Sequence, residues 1–307
     1  VVVYFALTIY GDIGPVLQAF KTFNWLFIPL LLSLSMANYL FRFLKWHYYL
    51  HLLKIKADKK LSAAIFFSGL IMSVTPMKAG ELLKSYLLKQ TVDEPISKTA
   101  PIIFAERITD FIALIIVGAL GGFAYNYGLK LISVVFVFFI SIVIIISNRK
   151  LCLWFFSKIE KISFIKNYSQ KLYNLYESSY IMLRLKPLLL MIFVSLISWF
   201  FECLGVYIIL YSFNSNISLF MSSFIYAFST IFGAVTMLPG GLGVTEGSLT
   251  ILIMQNGFVK ESAIASTLII RVVTLWFAVL VGIISLYLFQ KKFGSLITNG
   301  QMKGEIE

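Results

Sequence analysis

Charge is scarce in this sequence. Asp, Glu, Lys and Arg make up 13% of its 307 residues, about half the share that lets a soluble domain cover its surface. That shortage excludes a free-standing soluble domain. Acidic residues are the scarcer kind, 14 against 26 basic, for a net charge of +12. Cysteine is nearly lacking. Cys152 and Cys203 sit far apart in apolar surroundings, which excludes a disulfide framework or a CxxC metal pattern and reads as buried structural thiols. The two histidines, His47 and His51, form an HxxxH pair with no third ligand and no following Glu. No metal site and no cofactor is expected from them, and the adjacent Trp46, Tyr48 and Tyr49 suit an interfacial aromatic belt. Ser248 has no histidine within reach and GxGD does not occur, so protease chemistry is not expected. The opening stretch lacks a basic n-region and an A-x-A site, so no cleavable signal peptide is expected. The short alternating segments of an outer-membrane barrel are lacking as well.

What is abundant is hydrocarbon, with 59% of positions apolar. Several runs reach about 20 residues, the length that crosses roughly 30 Å of hydrocarbon as a helix. The reading is an all-α polytopic membrane helical bundle, residues 1–307 forming one transmembrane domain. Residues 1–10, which begin without Met, read as the end of a first span. Further spans are expected at about 25–49, 101–125, 130–147, 187–211 and 263–289. Two further apolar stretches are interrupted. One is 61–74 with 81–88, broken at Thr75-Pro76, and the other is 219–237 with 243–254, broken at Pro239-Gly240-Gly241. Each half is too short to cross alone.

The basic residues cluster beside these stretches, which fits topology and anionic headgroups rather than nucleic acid. In the segment 149–186, Phe155, Ile159, Ile162, Ile165, Tyr168, Leu172 and Leu175 recur every three or four positions among lysines. This reads as a cytoplasmic amphipathic helix in the headgroup plane. If both interrupted pairs are re-entrant, the 51–60 and 89–100 loops, the 149–186 segment and the C-terminus all fall on one side. Those are the basic segments, so a cytoplasmic C-terminus in the cell membrane is expected.

The two halves resemble each other. Pro29-Leu30-Leu31-Leu32 corresponds to Pro187-Leu188-Leu189-Leu190, Pro76 and Gly80 to Pro239 and Gly243, and Arg107 and Gly118 to Arg271 and Gly282. The offsets run 158, 163, 163, 164 and 164. Helix 25–49 would run inward and helix 187–211 outward. The reading is therefore an inverted repeat, residues 25–125 and 187–289, joined by the span 130–147 and the segment 149–186. Secondary transporters use this architecture, with the substrate at the repeat interface. Backbone broken by Pro and Gly must be buried in protein or line a wet cavity. Thr75, Pro76, Lys78, Gly80 and Glu81, with Pro239, Gly240, Gly241, Gly243 and Glu246, are therefore candidate site residues. A half-helix starting after each break would direct its positive end and free N–H groups at an anionic group.

The intramembrane charges picked out are Arg42, Glu81, Glu106, Arg107, Asp110, Glu202, Glu246 and Arg271. Charges at such depth are costly and default to paired or functional roles. Glu106 and Asp110 share one helix face at i,i+4, and Arg107 neighbours Asp110 at i,i+3. Arginine's planar fork suits bidentate capture of phosphate or carboxylate. The expectation is an anionic lipid headgroup held between Arg107, Arg271 and the half-helix ends. The alternative is that the acidic residues only neutralise the arginines.

The runs VTPMKAGELLKSYLL (74–88), ERITDFIALIIVG (106–118) and LPGGLGVTEGSL (238–249) resemble the lysylphosphatidylglycerol synthase transmembrane-region family of flippase-like membrane proteins. The Pro-Gly-Gly-x-Gly-x-x-Glu-Gly element is the most specific of them, and order and spacing agree across nearly the whole chain. The resemblance implies moving an anionic phospholipid, an aminoacyl-phospholipid or a polyprenyl-phosphate-linked lipid between leaflets, or handling a lipid-linked substrate. The sequence ends about 18 residues after the last span, so the aminoacyl-transfer domain of the synthases is not expected, and a transporter is expected rather than an enzyme. A separate lipid-modifying enzyme and a second copy of the chain are the partners this suggests. The alternatives are an intramembrane enzyme or accessory subunit of lipid-linked glycan synthesis, or a transporter of a small anion.

Overall fold

The computed structural model describes residues 12–75, 80–125, 129–147, 149, 169–213 and 216–304, and every regular element among them is a helix. The order is α1 (Ile13–Thr22), α2 (Ile28–Leu52, entered through a 3-10 turn at Trp25–Phe27), α3 (Lys59–Gly69, continued by a 3-10 turn at Leu70–Val74) and α4 (Leu83–Val92). Next come α5 (Ile96–Tyr125), α6 (Leu129–Ser147), α7 (Ser169–Met182), α8 (Leu185–Phe213) and α9 (Leu219–Val235). A 3-10 turn at Pro239–Gly241 leads into α10 (Val244–Gln255) and α11 (Lys260–Arg271). A π turn at Val272–Trp276 then joins α11 to α12 (Phe277–Gly304).

Local chemistry sets several of these boundaries. Asp58 caps α3 by accepting from the Lys60 N–H at 3.1 Å, and Ser218 caps α9 by accepting from the Met221 N–H at 3.1 Å. Pro29 sits in the first turn of α2, where its missing N–H costs nothing.

Three helical stretches are long and apolar enough to cross a membrane by length and composition: Trp25–Leu52, Leu185–Phe213 and Lys260–Gly294. Much of their outer surface is large and apolar, including Leu40, Leu44, Phe193, Phe200, Leu280 and Ile284. An apolar exterior of this extent belongs in hydrocarbon, and the chain is an integral membrane protein. Helix α5 spans 30 residues, about 45 Å at 1.5 Å per residue, but carries Glu106, Arg107 and Asp110 along it.

The core forms where α2 packs along α8, α5 along α9, and α12 along α3 and the 70–74 turn. Nine residues of α2 are buried: Leu31, Ser35, Asn38, Tyr39, Arg42, Lys45, Trp46, Tyr49 and Leu50. Each has a buried counterpart 160 positions later in α8, and the burial of 31–40 is reproduced position for position over 191–200. The two helices also bond reciprocally. Asn38 donates to the Ser198 carbonyl at 2.9 Å, and Ser198 donates to the Asn38 carbonyl at 3.1 Å. Equivalent serines reach opposite neighbours. Ser35 donates to the Val273 carbonyl at 2.7 Å, and Ser195 to Asp110 Oδ1 at 3.0 Å.

Two glycines allow the close crossings. A Cβ at Gly121 would meet the Phe220 carbonyl and Phe224, and one at Gly282 would overlap the backbone of Leu70 and Ile71. We expect Gly282→Ala to destabilise by about 1–3 kcal/mol, the usual cost of overpacking. Gly247, with open space around its Cβ position, should tolerate alanine. Thermal unfolding in detergent separates the two.

The structure modifies the sequence reading in places. Residues between the first two expected spans contain the helix α1. The last turns of the expected interfacial segment, α7, pack on α5, because buried Tyr176 and Met182 give that face a core to join. Residues 1–10, Pro76, Lys78 and the 155–168 part of that segment lie outside the described residues.

Candidate functional site

The site is built on the buried stripe of α2. Arg42 and Lys45 follow Ser35, Asn38 and Tyr39 at helical spacing, so they enter the bundle instead of facing lipid. At the first break, Thr75 takes over bonds the helix has lost. Its hydroxyl donates to the Met72 carbonyl at 2.7 Å and accepts from the Gly80 N–H at 2.9 Å. This holds Gly80 close, where a Cβ would press on Thr75 and Met72, and it delivers Glu81 and Lys84 to the flank of α5.

There the charges interlock. Lys45 Nζ pairs with Asp110 Oδ1 and also donates to Ser195 Oγ at 2.8 Å, Thr109 Oγ1 at 3.2 Å and the Glu106 carbonyl at 3.3 Å. Lys84 Nζ lies 2.6 Å from Glu106 Oε2 and 3.3 Å from Glu81 Oε2, with the Trp46 ring 4.7 Å away. Arg42 meets Glu81 at 3.5 Å, and Arg107 meets Glu81 and Asp110 at 3.4 Å each. Among the described residues this network joins four cations to three carboxylates. Nearly all are sealed from solvent, and Arg107 is the most open at 17% side-chain exposure.

The second break is organised differently. Gly240, Gly241 and Gly243 have φ of 59°, 66° and 89°, values at which a side chain would be strained. That turn aims the Gly240 carbonyl at Arg271, whose Nη2 donates to it at 2.6 Å while Nε donates to Glu246 Oε1 at 2.7 Å. The other oxygen of Glu246 accepts from the Gly243 N–H at 2.8 Å. Of the N–H groups expected to be free at this half-helix, that of Gly243 is therefore taken by a carboxylate of the helix's own first turn. Glu202 accepts a short hydrogen bond from Tyr226 and lies within electrostatic reach of Arg42.

The structure thus brings Arg42, Glu81, Glu106, Arg107 and Asp110 into one cluster and sets Pro239, Gly240, Gly241, Gly243, Glu246 and Arg271 into another. Sequence reading passed over Lys45 and Lys84. Both are buried and both are central to the first cluster. The available signal was spacing: Lys45 follows Arg42 and Lys84 follows Glu81 at i,i+3, the same helical face. Lys45 stood unremarked inside its span, and Lys84 inside a motif. His47 reaches Ser62 Oγ at 3.1 Å, a packing contact between α2 and α3.

The two arginines differ. Arg271 has Nε and Nη2 firmly engaged. Arg107 makes only long contacts, and its buried Nε has no hydrogen-bond partner, as is true of Glu106 Oε1 and Asp110 Oδ2. Buried polar atoms are normally satisfied. One donor and one acceptor without a hydrogen bond, and an Asp110 Oδ2 met only by Arg107 Nη2 at 3.4 Å, therefore share three neighbouring positions of α5.

Comparison with known proteins finds membrane proteins. The family model described as Lysylphosphatidylglycerol synthase TM region matches residues 1–282. A UPF0104 membrane protein of Methanocaldococcus jannaschii is 29% identical over 232 residues, covering 72% of this chain and 94% of that protein. A second UPF0104 membrane protein of the same organism is 23% identical over 275 residues, 81% of this chain and 80% of its own. One from Methanothermobacter thermautotrophicus matches 96 residues at 27% identity, 31% of this chain and 28% of its own length.

Proposed function

Since the chain belongs to the lysylphosphatidylglycerol synthase TM region family, we propose that it is a flippase-like transporter, moving a phosphate-bearing lipid between the leaflets of the cell membrane. The observation that carries this reading is the set of buried polar atoms on α5 that lack a hydrogen bond: Arg107 Nε, Glu106 Oε1 and Asp110 Oδ2, the last with only a 3.4 Å ion-pair contact to Arg107. An entering phosphate satisfies the guanidinium with charge-assisted bonds. An ammonium group satisfies the two carboxylate oxygens. Of the lipids that the sequence suggested, an aminoacyl-phospholipid carries both groups, and we take it as the favoured substrate. A separate enzyme would then supply the aminoacylated lipid.

The mode of transport follows from the repeat. The shared burial of α2 and α8 and their reciprocal Asn38–Ser198 bonds support two related halves. So does the exchange of partners, α5 with α9 and α12 with α3. In our reading the halves are inverted, the broken pairs 61–88 and 219–254 re-enter without crossing, and the C-terminus is cytoplasmic. The headgroup crosses through the polar seam between the halves while the chains stay in hydrocarbon. Tight bonds at Arg271 and loose ones at Arg107 are what a seam closed at one end and receptive at the other would have.

The test is reconstitution of the full chain into liposomes with fluorescent aminoacyl-phosphatidylglycerol, phosphatidylglycerol or a polyprenyl-phosphate sugar, following the fraction open to an external quencher. Faster transfer of the aminoacyl lipid is expected. Folded protein that moves none of the three sinks the proposal, and a preference for the lipid-linked sugar assigns the site to glycan precursors instead.

A further inference from the structure

A cavity of about 300 Å³ lies outside the charged site, between α5, α8 and α9, and is lined by Val117, Leu196, Ile197, Phe200, Cys203 and Ser223. Its chemistry is almost wholly hydrocarbon. Cys203 and Ser223 are the two polar side chains in its wall, and the other four lining residues are apolar. An apolar cavity of about 150 Å³ already stays dry and admits benzene or xenon. This one has twice that volume, and Phe200 at its edge is exposed on the apolar outer surface. The groove therefore opens where lipid chains are.

Its position relative to the charged site narrows the occupant. Leu196 directly follows Ser195, whose hydroxyl donates to Asp110, so the groove starts beside the charged network. On α5, Val117 lies ten residues beyond Arg107, about 15 Å along the helix. With the span beginning near residue 101, Arg107 lies about 9 Å and Val117 about 24 Å into the roughly 30 Å hydrocarbon core, so the groove lies deeper in the membrane than the charged site. A lipid with its phosphate at Arg107 and its chain laid along α5 would reach Val117 with the chain still extended.

We propose that this groove holds one hydrocarbon chain of the lipid whose headgroup engages Arg107. The inference rests on the transport reading for the identity of the lipid, but chain binding itself needs no translocation. A bound chain would keep the lipid aligned with the seam while the headgroup leaves water, and it would supply affinity that an isolated headgroup lacks.

The experiment places the full chain in nanodiscs containing phosphatidylglycerol with a photoactivatable diazirine at mid-chain and maps the labelled residues by mass spectrometry. Leu189 and Phe193, exposed on the lipid side of the same helix, report ordinary surrounding lipid. A several-fold excess of label on Leu196–Cys203 over those two is expected. Leu196→Trp and, independently, Ser223→Phe fill the cavity and should remove the excess while Leu189 and Phe193 label as before. Equal labelling of all these positions in the wild-type protein overturns the groove. Since labelling requires no transport, a labelled groove in a protein that moves no lipid refutes the transport reading alone, and uniform labelling in an active protein refutes the groove alone.

Discussion

Replacing Arg107 by alanine is expected to slow headgroup transfer roughly 10- to 100-fold, the loss of one or two charge-assisted hydrogen bonds, with little change in thermal stability. The reason lies in what remains behind. Glu81 keeps Arg42 at 3.5 Å and Lys84 at 3.3 Å, and Asp110 keeps Lys45, so neither carboxylate is stranded. Arg271→Ala should behave in the opposite sense. Its Nε bond to Glu246 and Nη2 bond to Gly240 hold together a turn built from three positive-φ glycines. Removing it takes the guanidinium from a carboxylate with no exposed surface, a change that costs about 3–5 kcal/mol in buried pairs. Thermal unfolding in detergent and transfer in liposomes should thus separate the two arginines, although the sequence presents them as equivalents. A stability loss for Arg107→Ala as large as that for Arg271→Ala would show that Arg107 is also a latch.

Lys45→Met is the second large effect. Lys45 is almost completely buried and makes four polar contacts, the strongest with Asp110. Without the ammonium, Asp110 becomes a carboxylate in a low-dielectric interior with Ser195 and the looser Arg107 to support it, and a loss of about 3–5 kcal/mol is expected. Adding Asp110→Leu removes the uncompensated buried charge along with its partner and should restore most of that stability. It should not restore transfer, because Asp110 Oδ2 is one of the acceptors assigned to the ammonium of the substrate. A double variant that regains stability and transports normally would remove Asp110 from the site. One that regains neither would show that the network around Glu106 and Lys84 cannot relax.

Much of the polar framework could be read in advance because charge is so costly in hydrocarbon. Arg42, Glu81, Glu106, Arg107, Asp110 and Arg271 stand out in apolar runs for that reason, and the structure buries or half-buries all six. Lysine blurs the same signal. Its long stem can carry a charge to the surface, so Lys45 near a helix end and Lys84 in a short helix give no sign of burial until the helices pack. The internal similarity was visible as five matched positions at slightly varying offsets. Only the packed helices show a single shift of 160 between α2 and α8, pairing Arg42 with Glu202 and Ser35 with Ser195.

By itself, the sequence determined that this chain lives in a membrane, since too little charge is present to cover a surface in water. It also pointed to the break after α9, since the Pro239-Gly240-Gly241 turn does not continue a helix. The partner of each charge was decided by the tertiary structure alone. Whether Glu246 caps its own helix or leaves that end for a ligand, and whether an arginine is saturated or has donors to spare, depends on gaps of less than 1 Å: 2.7 Å at Arg271 against 3.4 Å at Arg107. Hydrogen bonds weaken steeply over that range, and distances between residues so far apart in the chain arise only when the helices pack.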